Sequence, residues 1–209
     1  MSTNSNHSSE QSSGTLSLKS WIKSDVGRVR KNNEDNSLAD TANRLFVVAD
    51  GMGGATGGSE ASRIAVRTLA SAMLDDAFAA RPPAARLAEG FERACIAVFE
   101  QSVTTPGLTG MGTTLTALWM REDGIVVGHI GDSRAYRLRG RSTERLTTDH
   151  AVQGDESRLT RCVGGGRDRE EVDIHSFDLR ANDRFAMVSD GVWGVIGDAG
   201  IAAALQAEA

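Results

Sequence analysis

Three aspartates stand at the same kind of place in this chain, each following a short apolar run and lying next to glycine: Asp50 in Leu45-Phe-Val-Val-Ala-Asp-Gly51, Asp132 in Ile130-Gly-Asp-Ser-Arg134, and Asp190 in Met187-Val-Ser-Asp-Gly191. An apolar run rich in valine and phenylalanine reads as a buried strand, so each carboxylate is delivered to a strand end. After Asp50, the residues Gly51, Gly53, Gly54, Gly57 and Gly58 let main chain come close to a small ligand. A carboxylate beside an accessible carbonyl suits a hard divalent cation. Read alone, Asp50 fits equally a tight turn in which it caps the following helix. Three occurrences of one arrangement are harder to attribute to turns.

A second stretch has chemistry-bearing side chains in close order: Asp25-Val-Gly-Arg-Val-Arg-Lys-Asn-Asn-Glu-Asp35. Arg30 can present a planar donor fork to phosphate oxygens, and Glu34 or Asp35 can supply oxygens to a cation. Taken by itself the segment is equally a solvated charged loop.

Composition bounds what these residues can serve. With 209 residues, 40% hydrophobic and 24% charged, the chain reads as one ordinary globular domain. A net charge of −5 gives no electrostatic reason to expect nucleic acid or an anionic membrane as partner. No apolar run is long enough to span a bilayer, and the N-terminus lacks a signal-peptide pattern. Cys95 and Cys162 have no metal-ligand spacing and read as free thiols in a reducing cytosol, so we expect a cytoplasmic, monomeric protein.

The elements that must position the acidic groups follow from periodicity. Met1 to Gly14 is Ser/Asn-rich and is expected to be a disordered tail. Thr15 to Asp25 alternates apolar and polar residues and predicts a half-buried strand. Ser59 to Leu74 has helical spacing, and a second helix follows Pro82-Pro83 with Leu87, Phe91, Cys95, Val98 and Phe99 on one face. From Met111 the pattern is an antiparallel meander: MGTTLTALWM, a turn at Glu122-Asp123-Gly124, IVVGHIGDSRAYRLRG, a turn at Gly140, and a short run around Arg145 to Thr147. His129 inside a strand reads as packed rather than ligating. Val172 to Phe177 and Arg184 to Ser189 are further strands joined by a turn at Asn182-Asp183, and Asp198 reads as the N-cap of a helix beginning near Ala199. Together these imply an α+β domain on antiparallel sheets. Gly51-Met52-Gly53-Gly54 matches neither the dinucleotide-binding nor the P-loop pattern.

Asp25, Gly27, Arg30, Asn33, Glu34 and Asp35, then Val48-Ala-Asp-Gly-Met-Gly-Gly54, Gly112-Thr-Thr114, Gly131-Asp-Ser-Arg134, Asp149-His150, Leu159-Thr-Arg161 and Ser189-Asp-Gly191 occur in the order of the motifs of the PP2C-type (PPM) metal-dependent serine/threonine protein phosphatases. From about Thr15 onward the chain resembles that family in its bacterial form. The resemblance implies two antiparallel sheets packed as a sandwich flanked by helices, a four-layer α-β-β-α arrangement. It implies two Mg²⁺ or Mn²⁺ ions bridged by Asp50, with Glu34 and the Gly51 carbonyl serving one and Asp190 the other, and a third, weaker ion at Asp132 shared with Asp190. Arg30 resembles the phosphate-binding arginine. An oxygen-only donor set fits Mg²⁺ or Mn²⁺ better than zinc. The implied reaction is hydrolysis of phosphoserine and phosphothreonine in proteins by a water bridging two cations, opposing a bacterial Ser/Thr kinase. Met52 stands where some members carry a histidine acid, so the leaving alkoxide is expected to take its proton from cation-held water.

The chain departs from the family pattern at two places. The closing Gly-x-x-Asp-Asn segment and last strand do not occur before Ala209. Truncation, completion by another chain, or a degenerate pseudophosphatase that binds phosphoprotein without hydrolysing it all account for this. Truncation accounts for it best, since Leu205 to Ala209 falls within a helix and would leave a central strand position unpaired. Loss of one carboxylate is expected to weaken one cation and lower turnover. Second, only Ala151 to Arg158 occupy the place of the family's longer flap beside the active site, which predicts an open cleft. Turnover on a panel of phosphopeptides should therefore vary little with flanking sequence, and strong selectivity would contradict the open cleft.

Overall fold

The computed structural model describes residues 17–207 except Val29, with the side chains of 54–56 and 156–157 outside that description. Strands β1 (Asp35–Asp40) and β2 (Leu45–Met52) form an antiparallel pair, followed by helices α1 (Gly54–Leu74) and α2 (Pro83–Thr104). Then come β3 (Gly112–Thr113), β4 (Leu115–Arg121), β5 (Gly124–Ile130), β6 (Arg134–Arg139) and β7 (Ser142–Arg145). A short hairpin, β8 (Ala151–Val152) and β9 (Asp155–Leu159), precedes β10 (Val163–Gly164), β11 (Asp173–Phe177), β12 (Arg184–Val188) and α3 (Asp190–Gln206).

The larger sheet has 7 strands in the order β10-β3-β2-β4-β5-β11, with β1 on the other side of β2. A smaller sheet of 3 strands runs β12-β6-β7. Alternation along the strands of the large sheet decides what each face meets. Leu45, Val47, Ala49, Leu115, Ala117 and Val126 pack against Ala61, Ala65 and Leu69 of α1 and Leu87, Phe91 and Val98 of α2. The opposite face, with Leu118, Ile125 and Val127, meets Ala135 of β6 and is joined by Phe185 and Met187 of β12. Outside the small sheet lies α3, whose Ile201 is buried. The layers are helix, sheet, sheet, helix, as the resemblance implied. Each fully buried Leu or Phe contributes about 1.5–3 kcal/mol.

The expected strand over 15–25 is absent from its described part, 17–25. Thr15 and Leu16, like the expected tail, lie outside the described residues, and 17–26 carries no strand, with Trp21 80% exposed. Alternation alone does not make a strand, because its N–H and C=O groups need a ladder partner, and none of the described strands supplies one. The run from Ile125 to Gly140 is also divided. Gly131 has φ 110°, Asp132 and Ser133 follow outside any strand, and β6 starts again in the other sheet. Helix α1 begins at Gly54 rather than Ser59, and α3 begins at Asp190, with a break at Gly197 (φ 64°). The N-terminal half of α3 escaped prediction because Asp190-Gly-Val-Trp-Gly-Val-Ile-Gly197 contains three glycines and no helical stripe. Cys95 and Cys162 are free thiols, and no described helix is long and apolar enough to cross a membrane.

His129 lies in the core, as its sequence position suggested. Its Nε2–H donates to the Thr148 carbonyl (3.1 Å), which leaves Nδ1 to face the Thr116 hydroxyl at 2.9 Å. Burial, and next the neighbouring His150, push its pKa from 6.5 down to about 4. The folded state therefore refuses a proton that the unfolded chain accepts. Its stability contribution is complete above about pH 6.5 and is lost as pH falls toward about 4, at up to roughly 1.4 kcal/mol per pH unit. Urea unfolding across that window should show a shallower loss for His129→Gln than for the wild type; equal slopes would refute the assignment.

Candidate functional site

Residues from distant parts of the chain meet at the end of β2. The β1–β2 register sets Asp35 directly opposite Asp50, and the Glu34 carbonyl accepts the Gly51 N–H at 3.1 Å. On the other side of β2, the Thr114 hydroxyl accepts the Asp50 N–H (2.9 Å), while the Thr113 hydroxyl and the Thr114 N–H both donate to the Asp50 carbonyl (2.9 Å each). Every main-chain polar group of Asp50 is thereby held by the Gly112-Thr113-Thr114 segment. Thr114 Oγ1 lies 2.8 Å from Ser133 Oγ, so the same threonine links Asp50 to the turn that carries Asp132.

The acidic groups are crowded. Burial raises the Asp50 carboxyl well above the usual carboxylate range, and the charges of Asp35 and Asp190, with a hydrogen-bonding contact to Asp190, add to it. Arg30, exposed at the rim, opposes the rise. Asp132 is pushed up to about 6, first by burial and then by the charges of Asp190 and Asp149. Asp190 is thus the neighbour common to Asp50 and Asp132. It occupies the first turn of α3, where the helix dipole favours negative charge.

Glu34 and the Gly51 carbonyl form a second grouping. The position that a Cβ on Gly58 would occupy lies 2.9 Å from both Glu34 Oε2 and the Gly51 carbonyl oxygen, and 2.8 Å from the Gly51 carbonyl carbon. Only glycine allows helix α1 to pass this close to the end of β2. Among the described residues, no three His, Cys, Asp or Glu side chains converge on one cation position. The oxygens instead group in pairs: Asp50 with Asp190, Asp132 beside Asp190, and Glu34 with the Gly51 carbonyl. This donor set fits Mg²⁺ or Mn²⁺ in kind, being all oxygen and including a main-chain carbonyl. The crowding of Asp50 against Asp35 and Asp190 is a repulsion that a cation relieves.

All the predicted site residues, Arg30, Glu34, Asp50, Gly51, Asp132 and Asp190, therefore lie in one neighbourhood. Sequence reasoning missed what holds them. Asp35, an alternative oxygen donor to Glu34, accepts a hydrogen bond from the Ser189 hydroxyl at 3.0 Å, tying β1 to the residue before Asp190. Arg134 donates to Asp149 (2.6 Å from Nη2) and to Asp198 (2.8 Å from Nη1), and its guanidinium lies 3.6 Å from the Trp193 ring centroid. Asp198 also accepts from Tyr136 (2.8 Å), so both halves of α3 are fastened to β6. Asp198 serves this brace rather than the capping role expected of it. The ordered Gly-Asp-Ser-Arg and Asp-His pairs marked these residues, but not what their side chains touch.

Replacing Thr114 with valine leaves the Asp50 N–H buried without an acceptor and removes the link to Ser133. Urea unfolding should register a loss of about 1–3 kcal/mol, whereas Thr114→Ser should keep most of the stability. A valine variant within about 0.5 kcal/mol of wild type would show that the hydroxyl clamp does not matter.

The protein-family model described as protein phosphatase 2C matches residues 28–206. Serine/threonine protein phosphatase PstP of Mycobacterium tuberculosis is 35% identical over 207 aligned residues, covering 92% of this chain but 40% of the relative, so the chain spans less than half the length of that protein. Serine/threonine phosphatase stp of Listeria monocytogenes is 30% identical over 197 residues, 84% of this chain and 78% of the relative. The solved catalytic domain of serine threonine protein phosphatase PstP in complex with 2 manganese ions has a TM-score of 0.78 to this fold at 34% identity, over 89% of this chain and 83% of that one. With the family model running from Arg28 through α3, and relatives and a solved structure agreeing in sequence and fold, this chain belongs to the protein phosphatase 2C family.

Proposed function

We propose that this chain hydrolyses phosphoserine and phosphothreonine in proteins, in a divalent-cation-dependent reaction that opposes a bacterial Ser/Thr kinase in the cytoplasm. The observation that carries this is the crowding at the end of β2: Asp50 half-buried, facing Asp35 across the ladder, touching Asp190, with Arg30 pulling the other way. Such a group is balanced by a proton or by a cation. A close structural relative, the PstP catalytic domain, was solved with 2 manganese ions.

In this proposal Asp50, Asp190, Glu34 and the Gly51 carbonyl would hold the Mg²⁺ or Mn²⁺ ions, and Asp132 with Asp190 would offer a further, weaker place. When bound, the ions supply charge neutralisation at the phosphoryl oxygens and acidify water. The protein's own residues do the rest. Arg30, at the exposed rim, draws in the phosphoryl oxygens with its planar donor fork. Asp50, fixed by Thr113 and Thr114, defines where the nucleophilic water approaches phosphorus. As the bond from water oxygen to phosphorus forms, the bond to the serine or threonine oxygen breaks; the attacking water gives up one proton to the surrounding water, the departing alkoxide takes one up from it, and the products are the free hydroxyl and hydrogen phosphate. No covalent enzyme intermediate is required.

Hydrolysis of p-nitrophenyl phosphate should require added Mn²⁺, stop with EDTA, and fall by about 10²- to 10³-fold in Asp50→Ala. Arg30→Ala should act mainly on substrate affinity. A wild-type chain that binds Mn²⁺ and a phosphopeptide without turnover would instead be a phosphoprotein-binding domain, and activity independent of Asp50 would refute the assignment of the site.

A further inference from the structure

We propose that His150 is a positioning residue for Asp132: it fixes the Gly131 turn from which that carboxylate projects, and so sets the affinity of the cation place at Asp132. This rests on the proposed cation-dependent reading of the site.

Gly131 is held by His150 at both of its main-chain polar groups. The His150 N–H donates to the Gly131 carbonyl at 2.7 Å, and the Gly131 N–H donates to His150 Nδ1 at 3.1 Å. Because Nδ1 accepts, the ring proton sits on Nε2, which donates to Asp173 Oδ2 at 3.0 Å. Asp173 is held in turn by Arg161 Nη1 at 2.9 Å. The ring thus spans from β11 to the turn between the two sheets, and its tautomer is dictated by the groups at its two ends. The other side of the turn is closed by Thr114: a Cβ on Gly131 would come within 2.6 Å of the Thr114 side chain, and Gly131 has φ 110°. Wedged between Thr114 and His150, the turn has one orientation, and the direction of the next side chain, Asp132, follows from it. Partners one step behind a metal ligand typically alter metal affinity by about 10- to 100-fold when removed.

Two conservative amide substitutions separate this role from packing. In His150→Asn the amide oxygen stands where Nδ1 stood and can still accept the Gly131 N–H; in His150→Gln the longer side chain carries its amide to the Nε2 position and leaves that N–H without an acceptor. Mn²⁺ titration of the full chain, with amide hydrogen exchange at Gly131 as the second readout, decides between them. His150→Asn should stay within about threefold of wild-type Mn²⁺ affinity and keep the Gly131 amide protected, whereas His150→Gln should lose about tenfold and exchange that amide freely. Equal losses in both variants, or no loss in His150→Gln, would overturn the proposal. Should His150→Gln fail to fold, Asp173→Ala, which like His150→Asn loses the Nε2 link but keeps an acceptor for the Gly131 N–H, should stay within about threefold of wild-type Mn²⁺ affinity with the Gly131 amide protected, and a loss of about tenfold there would overturn the proposal by placing the control at Asp173. A wild-type chain that binds no Mn²⁺ would overturn both the cation reading and the affinity part of this proposal, while Gly131 exchange would still report whether His150 holds the turn.

Discussion

Asp35 and Asp50 face each other across the β1–β2 ladder, and Asp190 arrives against Asp50 from the start of α3. Like charges directly opposite in a sheet destabilise it, and burial makes matters worse by removing the water that would screen them. The local rule is broken where the family resemblance places its chemistry, as expected of functional sites. The rest of the structure is arranged so that this unfavourable contact persists without the strand ends moving apart.

Main-chain clamps hold the acidic groups in place. Thr113 and Thr114 take the N–H and carbonyl of Asp50, Glu34 takes the N–H of Gly51, and His150 takes both polar groups of Gly131. Hydrogen bonds to main chain determine where a carboxylate points while leaving its oxygens available. Arg134 is turned to other partners: its guanidinium is committed to Asp149 and Asp198 and stacked on Trp193. It secures α3, and with it Asp190, without supplying full neutralisation to Asp50. Had it faced Asp50 directly, the resulting ion pair would have competed with any cation for the same oxygens.

Much of the fold was legible. The hairpin turns at Gly124 and Gly140, the stripe along α2 and the strand leading to Asp50 were all visible as periodicity and turn chemistry. What could not be seen was where regular alternation fails to mean a continuous strand. Ile125 to Gly140 reads as one unbroken run, yet Gly131 to Ser133 passes from one sheet to the other. The residues around Trp21 alternate just as well and have no ladder partner among the described strands. Pairing is a relation between segments, and no single segment carries it.

The residue types settled the chemistry available: carboxylates at strand ends next to glycine, one arginine near them, and no thiolate or histidine set for a soft metal. Their order along the chain was enough to name a family. Only the tertiary structure decided that Asp35 lies directly opposite Asp50, that Gly58 is a glycine because α1 passes against the Gly51 carbonyl, and that Thr114, Arg134 and His150 hold the acidic groups in position. A side chain's type limits which bonds it can make. Which bond it does make depends on what the folded backbone brings within about 3 Å of it, and for these residues those partners lie far away in the sequence.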